Sequence, residues 1–127
     1  MRHRFNPQRG VVLVTAKLWG PSLAIEIPLA LDTGAVNSVL NWQTATLLGY
    51  DPAGIPERVR IVGATGEVWV PRLGLSRVEA LGQERLNFPF LCHTLPPAAG
   101  IDGLLGLDFL RGHRLTLDFR EGLIGLD

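Results

Sequence analysis

The chain has 127 residues, enough for one domain spanning 1–127 with a modest core. With 46% hydrophobic and 19% charged residues it reads as globular, which excludes a disordered chain. Lys+Arg and Asp+Glu are balanced at 12 each, so no net field draws the chain to nucleic acid or to an anionic membrane surface.

Cys92 is the sole cysteine, so an intrachain disulfide and a zinc cluster are excluded, and a buried structural thiol is expected. His3, His93 and His113 share no metal-binding spacing and read as bystanders; no metal and no cofactor is expected. No apolar run reaches the length of a membrane span and no leader pattern is visible, which points to a cytoplasmic, reducing setting.

Fifteen glycines and nine prolines divide the chain into many short strands. Residues 1–9, with Arg2, Arg4 and Arg9, read as a solvated N-terminal arm. Arg9 to Trp19 is rich in β formers, Gly20-Pro21-Ser22 turns, and Ser22 to Leu31 returns with Glu26 on its outer face. Ser38-Val39-Leu40 is a short strand. Asn41 then caps a helix, Trp42 to Leu48, which Gly49 ends. After a Pro-containing loop, Asp51 to Glu57, residues 58–70 form a hairpin with a Gly-rich tip, Gly63-Ala64-Thr65-Gly66. Strands follow at Leu73 to Leu81 and Leu86 to Leu91 around a turn at Gly82-Gln83-Glu84. Pro96 to Gly100 is a stiff connector, Ile101 to Leu105 a buried strand, Leu107 to Arg111 a short helix, and 115–126 a closing hairpin. The whole predicts an all-β fold, a small closed barrel with one or two short helices.

The stretch around which these elements are arranged is Ala30-Leu31-Asp32-Thr33-Gly34-Ala35. Asp, Thr and Gly are turn formers, so the tripeptide alone also fits a strand-ending turn in which Asp32 accepts backbone N–H groups. Two further features follow it in order. One is the Gly-tipped hairpin from Val62 to Val68. The other is Leu104-Leu105-Gly106-Leu107-Asp108-Phe109-Leu110, with Asp102-Gly103 before it.

In these three motifs the chain resembles the retropepsins, single-domain aspartic proteases of retroviruses and their cellular and bacterial relatives. The resemblance spans about Val11 to Leu126. It implies an acid-protease barrel and a homodimer in which Asp32 meets its own copy, because one chain carries one Asp-Thr-Gly. Two facing carboxylates sharing one proton would activate a water to hydrolyse a peptide bond, on the acid side of neutral. By the same resemblance Thr33 would bond across the dimer and Gly34 would admit the backbone close to substrate. Ala35 would line the cleft, and Val62, Gly63, Ala64, Thr65 and Gly66 would form the flap over an extended peptide. The hairpin 115–126 would help hold the dimer.

The chain departs from the retroviral pattern at two linked places. Val36 and Leu107 stand where an Asp and an Arg usually pair, so neither charge is left alone and an apolar contact is expected there. Asp102 and Asp108 read as a turn residue and a helix-start residue. Trp19, Trp42 and Trp69 read as core or edge packing, Trp69 being the one near enough to substrate to touch it. Two other readings compete with the peptidase: a retropepsin-like module that binds or dimerises without turnover, and an unrelated monomeric barrel in which Asp32 only caps a turn.

Overall fold

The computed structural model describes residues 1–63, 65–96 and 100–127. Ala64 of the flap tip and residues 97–99 of the connector lie outside the described residues. The strands are β1 (Arg2–Arg4), β2 (Leu13–Trp19), β3 (Ala24–Leu31), β4 (Val39–Leu40), β5 (Arg58–Gly63), β6 (Gly66–Ala80), β7 (Gln83–Cys92), β8 (Gly103–Leu105), β9 (Leu115–Asp118) and β10 (Leu123–Leu126). Two short helices, α1 (Trp42–Leu48) and α2 (Leu107–Leu110), and a 3-10 turn at Pro52–Gly54 complete them.

Strand β2 buries Val14, Ala16 and Leu18 and exposes Thr15 and Lys17, the alternation of a sheet with one wet face. It pairs antiparallel with β3 from Leu13↔Ala30 to Trp19↔Ala24. The sheet continues β3-β8-β4-β7-β6, and β6 returns to β2 through Ala16↔Ala80 to Trp19↔Arg77. Six strands therefore close into a barrel, which removes the open edges of a flat sheet. Inside it, Leu18, Leu29, Leu40, Leu75, Phe90, Leu105 and Phe109 are all but completely buried, with Phe88 edge-on to both Phe90 and Phe109.

The flap is the far end of the barrel wall itself. Strand β6 runs without a break for 15 residues, pairing with β5 at its start and with β2 at its end. The sequence reading divided this strand at Pro71, which has no N–H to give. Here Pro71 stands opposite Arg58, the first residue of β5, and the Arg72 N–H donates to the Glu57 carbonyl at 3.0 Å beyond it. The proline thus falls where that ladder ends, the position a strand tolerates. Trp69, expected as packing, is 60% exposed on the flap, opposite Arg60.

Three further local expectations are corrected. The turn between β6 and β7 is Leu81-Gly82, with φ of 53° and 74°, flanked by the pair Ala80↔Gln83. Positive φ at both central residues is the two-residue hairpin geometry that matches strand twist. Gln83 and Glu84 are already in β7. The solvated arm is instead strand β1, paired with β10 from Arg2↔Gly125 to Arg4↔Leu123, although the Arg2 and Arg4 side chains remain exposed. It forms a three-stranded sheet in the order β1-β10-β9.

Asn41 precedes α1, but its side chain makes no cap. Its Nδ2 donates to the Ile101 carbonyl at 3.2 Å and its Oδ1 accepts the Leu95 N–H at 2.9 Å, tying together the two ends of the connector. Gly49 ends the helix as expected, with φ 103°. Among the described residues no helix is long and apolar enough to cross a membrane.

Cys92 ends β7, 1% exposed, and burial pushes its thiol up to about 11, with the positive charge of Arg58 pulling weakly the other way. The folded state therefore holds this proton more tightly than the unfolded chain, whose thiol titrates near ~8.5. The stabilisation is complete below that value and is lost as pH rises towards the folded value. Urea unfolding from pH 8 to 11 is expected to lose stability faster with pH in the wild type than in Cys92→Ala. Phe109→Ala is expected to cost about 3–5 kcal/mol in the same assay, because it empties a site at the centre of the core.

Candidate active site

Strand β8 lies between β3 and β4. It is parallel to β3 (Ala30↔Leu104, Leu31↔Leu105) and antiparallel to β4 (Val39↔Leu104, Leu40↔Gly103). The chain from Asp32 to Ser38 must therefore loop over the end of β8 to join its two neighbours. Asp32 is the first residue of that loop. Its N–H donates to the Leu105 carbonyl at 3.0 Å, and the Leu31 N–H before it donates to Val12 at 2.8 Å.

The Gly34 N–H donates to Asp32 Oδ1 at 2.8 Å and the Ala35 N–H to the Asp32 carbonyl at 3.2 Å. The tripeptide is thus a tight Asx turn that fixes the half-buried carboxylate. A Cβ on Gly34 would come within 3.2 Å of Asp32 Oδ1, so a side chain there would crowd the acid it helps hold.

The other side of the loop rests on α2. The first N–H groups of a helix have no partner within it, and the loop supplies them. Leu107 N–H donates to the Ala35 carbonyl at 2.8 Å and Asp108 N–H to the Val36 carbonyl at 3.2 Å. The Asp108 carboxylate accepts the Ser38 N–H at 2.9 Å and the Ser38 hydroxyl at 2.7 Å. Ser38 Oγ in turn accepts the Gly106 N–H at 3.0 Å, and Ser38 is wholly buried. Asp108 thus has the structural part its helix-start position implied. A Cβ on Gly106 would lie 2.7 Å from the Ala35 carbonyl, and one on Gly103 would collide with the Val39 carbonyl. Loop, β4 and β8 pack too closely for any other residue at either place.

A cleft of about 410 Å³ lies between this loop and the flap. Gly34, Ala35, Val36 and Asn37 form one wall, Arg60, Ile61 and Val62 the other, and Val39, Leu91 and Leu104 line its apolar part. His93 lines both this cleft and an adjoining hollow of about 270 Å³, where Thr65, Gly66 and Glu67 also lie. Of the residues assigned to substrate, Ala35 and Val62 therefore face the cleft and Thr65 and Gly66 the hollow. Gly63 pairs with Gly66 at the base of the tip, and Ala64 lies outside the described residues. Thr33 and Gly34 are exposed on the loop. Val36 is 63% exposed, so its side chain is not covered by the apolar contact expected at this place.

Sequence reasoning missed Ile61, Leu91, Leu104 and His93 as cleft residues. The first three look like ordinary strand residues: Leu91 and Leu104 come together only because β7 and β8 both flank β4, and Ile61 of β5 faces them from the hairpin across the cleft. Among the described residues no cluster of three His, Cys, Asp or Glu side chains is placed to hold a metal.

An aspartic acid in a Thr-Gly turn, on a loop crossing a buried strand, under a β-hairpin flap, is the arrangement of an acid protease. The aspartyl protease family profile matches residues 14–109, from β2 through the flap to α2, and the chain belongs to that family. Its fold is retropepsin-like. It superposes on a retropepsin-like aspartic protease from Rickettsia conorii with a TM-score of 0.75 and 22% identity, covering 99% of this chain and 89% of that one. It superposes on the retroviral protease-like domain of Ddi1 from Leishmania major with a TM-score of 0.65 and 22% identity, covering 94% and 90%. No curated protein matches the chain in sequence comparison.

Ser38→Ala is expected to leave the Asp108 carboxylate and the Gly106 N–H short of a partner in a buried place. The cost would be about 1–3 kcal/mol, measured by chemical denaturation. Ser38→Thr, which keeps the hydroxyl, tests whether the bond or the volume is responsible, and should recover part of the loss.

Proposed function

We propose that this protein is an aspartic endopeptidase acting as a homodimer, with one Asp32 from each subunit. The observation that carries this reading is a single Asp-Thr-Gly loop, fixed at its base by Asp32, whose following residues, Gly34 to Asn37, line a cleft under a flap. One carboxylate cannot both take a proton from water and hydrogen-bond the scissile carbonyl. A second must face it, and the chain contains no second Asp-Thr-Gly. A two-fold axis through the loops supplies it.

In that centre the two acids share one proton, because like charges a few ångströms apart do not both ionise. The ionised partner takes a proton from water as it attacks the peptide carbon, and the protonated one donates to the carbonyl oxygen. Thr33, exposed on the loop, bonds to the facing loop. The flap closes over the substrate, excludes bulk water and offers backbone groups to an extended peptide. The sheet β1-β10-β9, whose outer strands β1 and β9 have no further strand partner among the described residues, is the surface through which the subunits join.

The exposed Val36 favours a second reading, a dimerising module with little turnover, since an apolar side chain beside the loop suits a protein contact. Turnover of a mixed peptide library at mildly acidic pH, blocked by a statine-type transition-state mimic, decides between the two.

Asp32→Asn is expected to lower kcat at least ~10²–10⁴-fold while leaving the far-ultraviolet spectrum and the sedimentation coefficient unchanged. Mixed with wild type in equal amounts and allowed to exchange, it should reduce activity to about a quarter of that of wild type at the same total chain concentration, as random pairing of a two-chain centre requires. Activity falling only to a half would mean that each chain works alone.

A further inference from the structure

The cleft beside the Asp32 loop has uneven chemistry. Val39, Leu91 and Leu104 offer an apolar side chain a dry seat. Among the described residues, the ionisable side chains that line the cleft are Arg60 and His93, and no carboxylate does. The wall on the Asp32 side is uncharged from Gly34 to Asn37. A carboxylate carried in on a peptide would therefore meet donors and no like charge along the lining.

Arg60 already has one partner. Its Nη1 lies 3.2 Å from Glu67 Oε2 across the flap, and the two side chains are 56% and 52% exposed. Such exposed pairs contribute little and exchange readily. A guanidinium carries five N–H donors, so contact with Glu67 at one of them leaves others to offer. Under a closed flap the same charge acts through less water and attracts a substrate carboxylate more strongly. Glu67 lines the adjoining hollow, beside His93, where it competes for the same guanidinium.

Resting on the peptidase reading above, we propose that Arg60, assisted by His93, makes the enzyme select peptides with an acidic side chain. That residue would lie within two positions of the apolar one seated on Val39, Leu91 and Leu104. Arg60 reads the acid, Glu67 moderates its strength, and the apolar seat fixes the register of the extended chain.

The test uses a set of peptides in which Glu or Gln is scanned through the positions around a central Leu or Phe. The ratio of kcat/KM for each Glu peptide to its Gln twin is taken within each protein, so a general loss of fold or turnover cancels. Wild type should favour Glu about tenfold at one position. Arg60→Gln should bring that ratio to about one, Arg60→Glu should turn the preference towards a Lys peptide, and Glu67→Gln should raise the ratio. A wild-type ratio of one at every position, or a preference that Arg60→Glu does not move, overturns the proposal. If no peptide is cleaved, the peptidase reading fails by itself. The selectivity is then read as the ratio of Kd values for the same peptides carrying a fluorophore, and equal Kd values overturn it separately.

Discussion

A buried hydroxyl holds the loop on which this structure turns. Ser38 Oγ donates to Asp108 and accepts from Gly106, while the Ser38 N–H donates to the same carboxylate. With no solvent to replace these bonds, losing one leaves a polar group with nothing to pair with. The loop is thereby tied to α2 at its far end and, at its near end, to β8 through Asp32 and to Val12, just before β2, through Leu31. An acid at the tied near end of a loop that is pinned at both ends has few orientations open to it, which is the preorganisation that general acid–base work requires.

The barrel makes that pinning possible. Because β8 runs between β3 and β4, the loop has a strand end beneath it, and because Gly103 and Gly106 carry no side chains, it can come down onto that strand. The flap has a related logic. Strand β6 is at once a leg of the hairpin and a stave of the barrel, so the hairpin is rooted in the packed wall of the fold. Closure over a substrate would bend the outer reach of a strand whose inner half is fixed by β2 and β7.

Much of this could be read from the residues. Asp-Thr-Gly, the Gly-tipped hairpin and Leu104-Leu105-Gly106 were legible as a turn, a hairpin and a buried strand, because tight turns and close packing demand particular residue types. The α1 boundaries and the structural part of Asp108 were legible for the same reason. The misread features are those in which distant neighbours override local preference. Pro71 looked like the end of a strand until its place at the end of the β5 ladder was known. Leu81 takes a positive φ because the hairpin needs it. Asn41 spends its amide on the connector, not on the helix, because Leu95 and Ile101 are brought to it. His93 carries no spacing signal at all, and only the meeting of β4 with β7 puts it by the cleft.

An incomplete centre in each chain is the core of the functional reading, and counting inhibitor molecules examines it most directly. Calorimetric titration of the purified protein with a tight-binding statine-type peptide at mildly acidic pH reports how many chains build one site. One inhibitor for every two chains is the expected result, with no heat of binding from Asp32→Asn beyond that of weak peptide contact. One inhibitor for every chain, with hydrolysis intact, would contradict the shared centre.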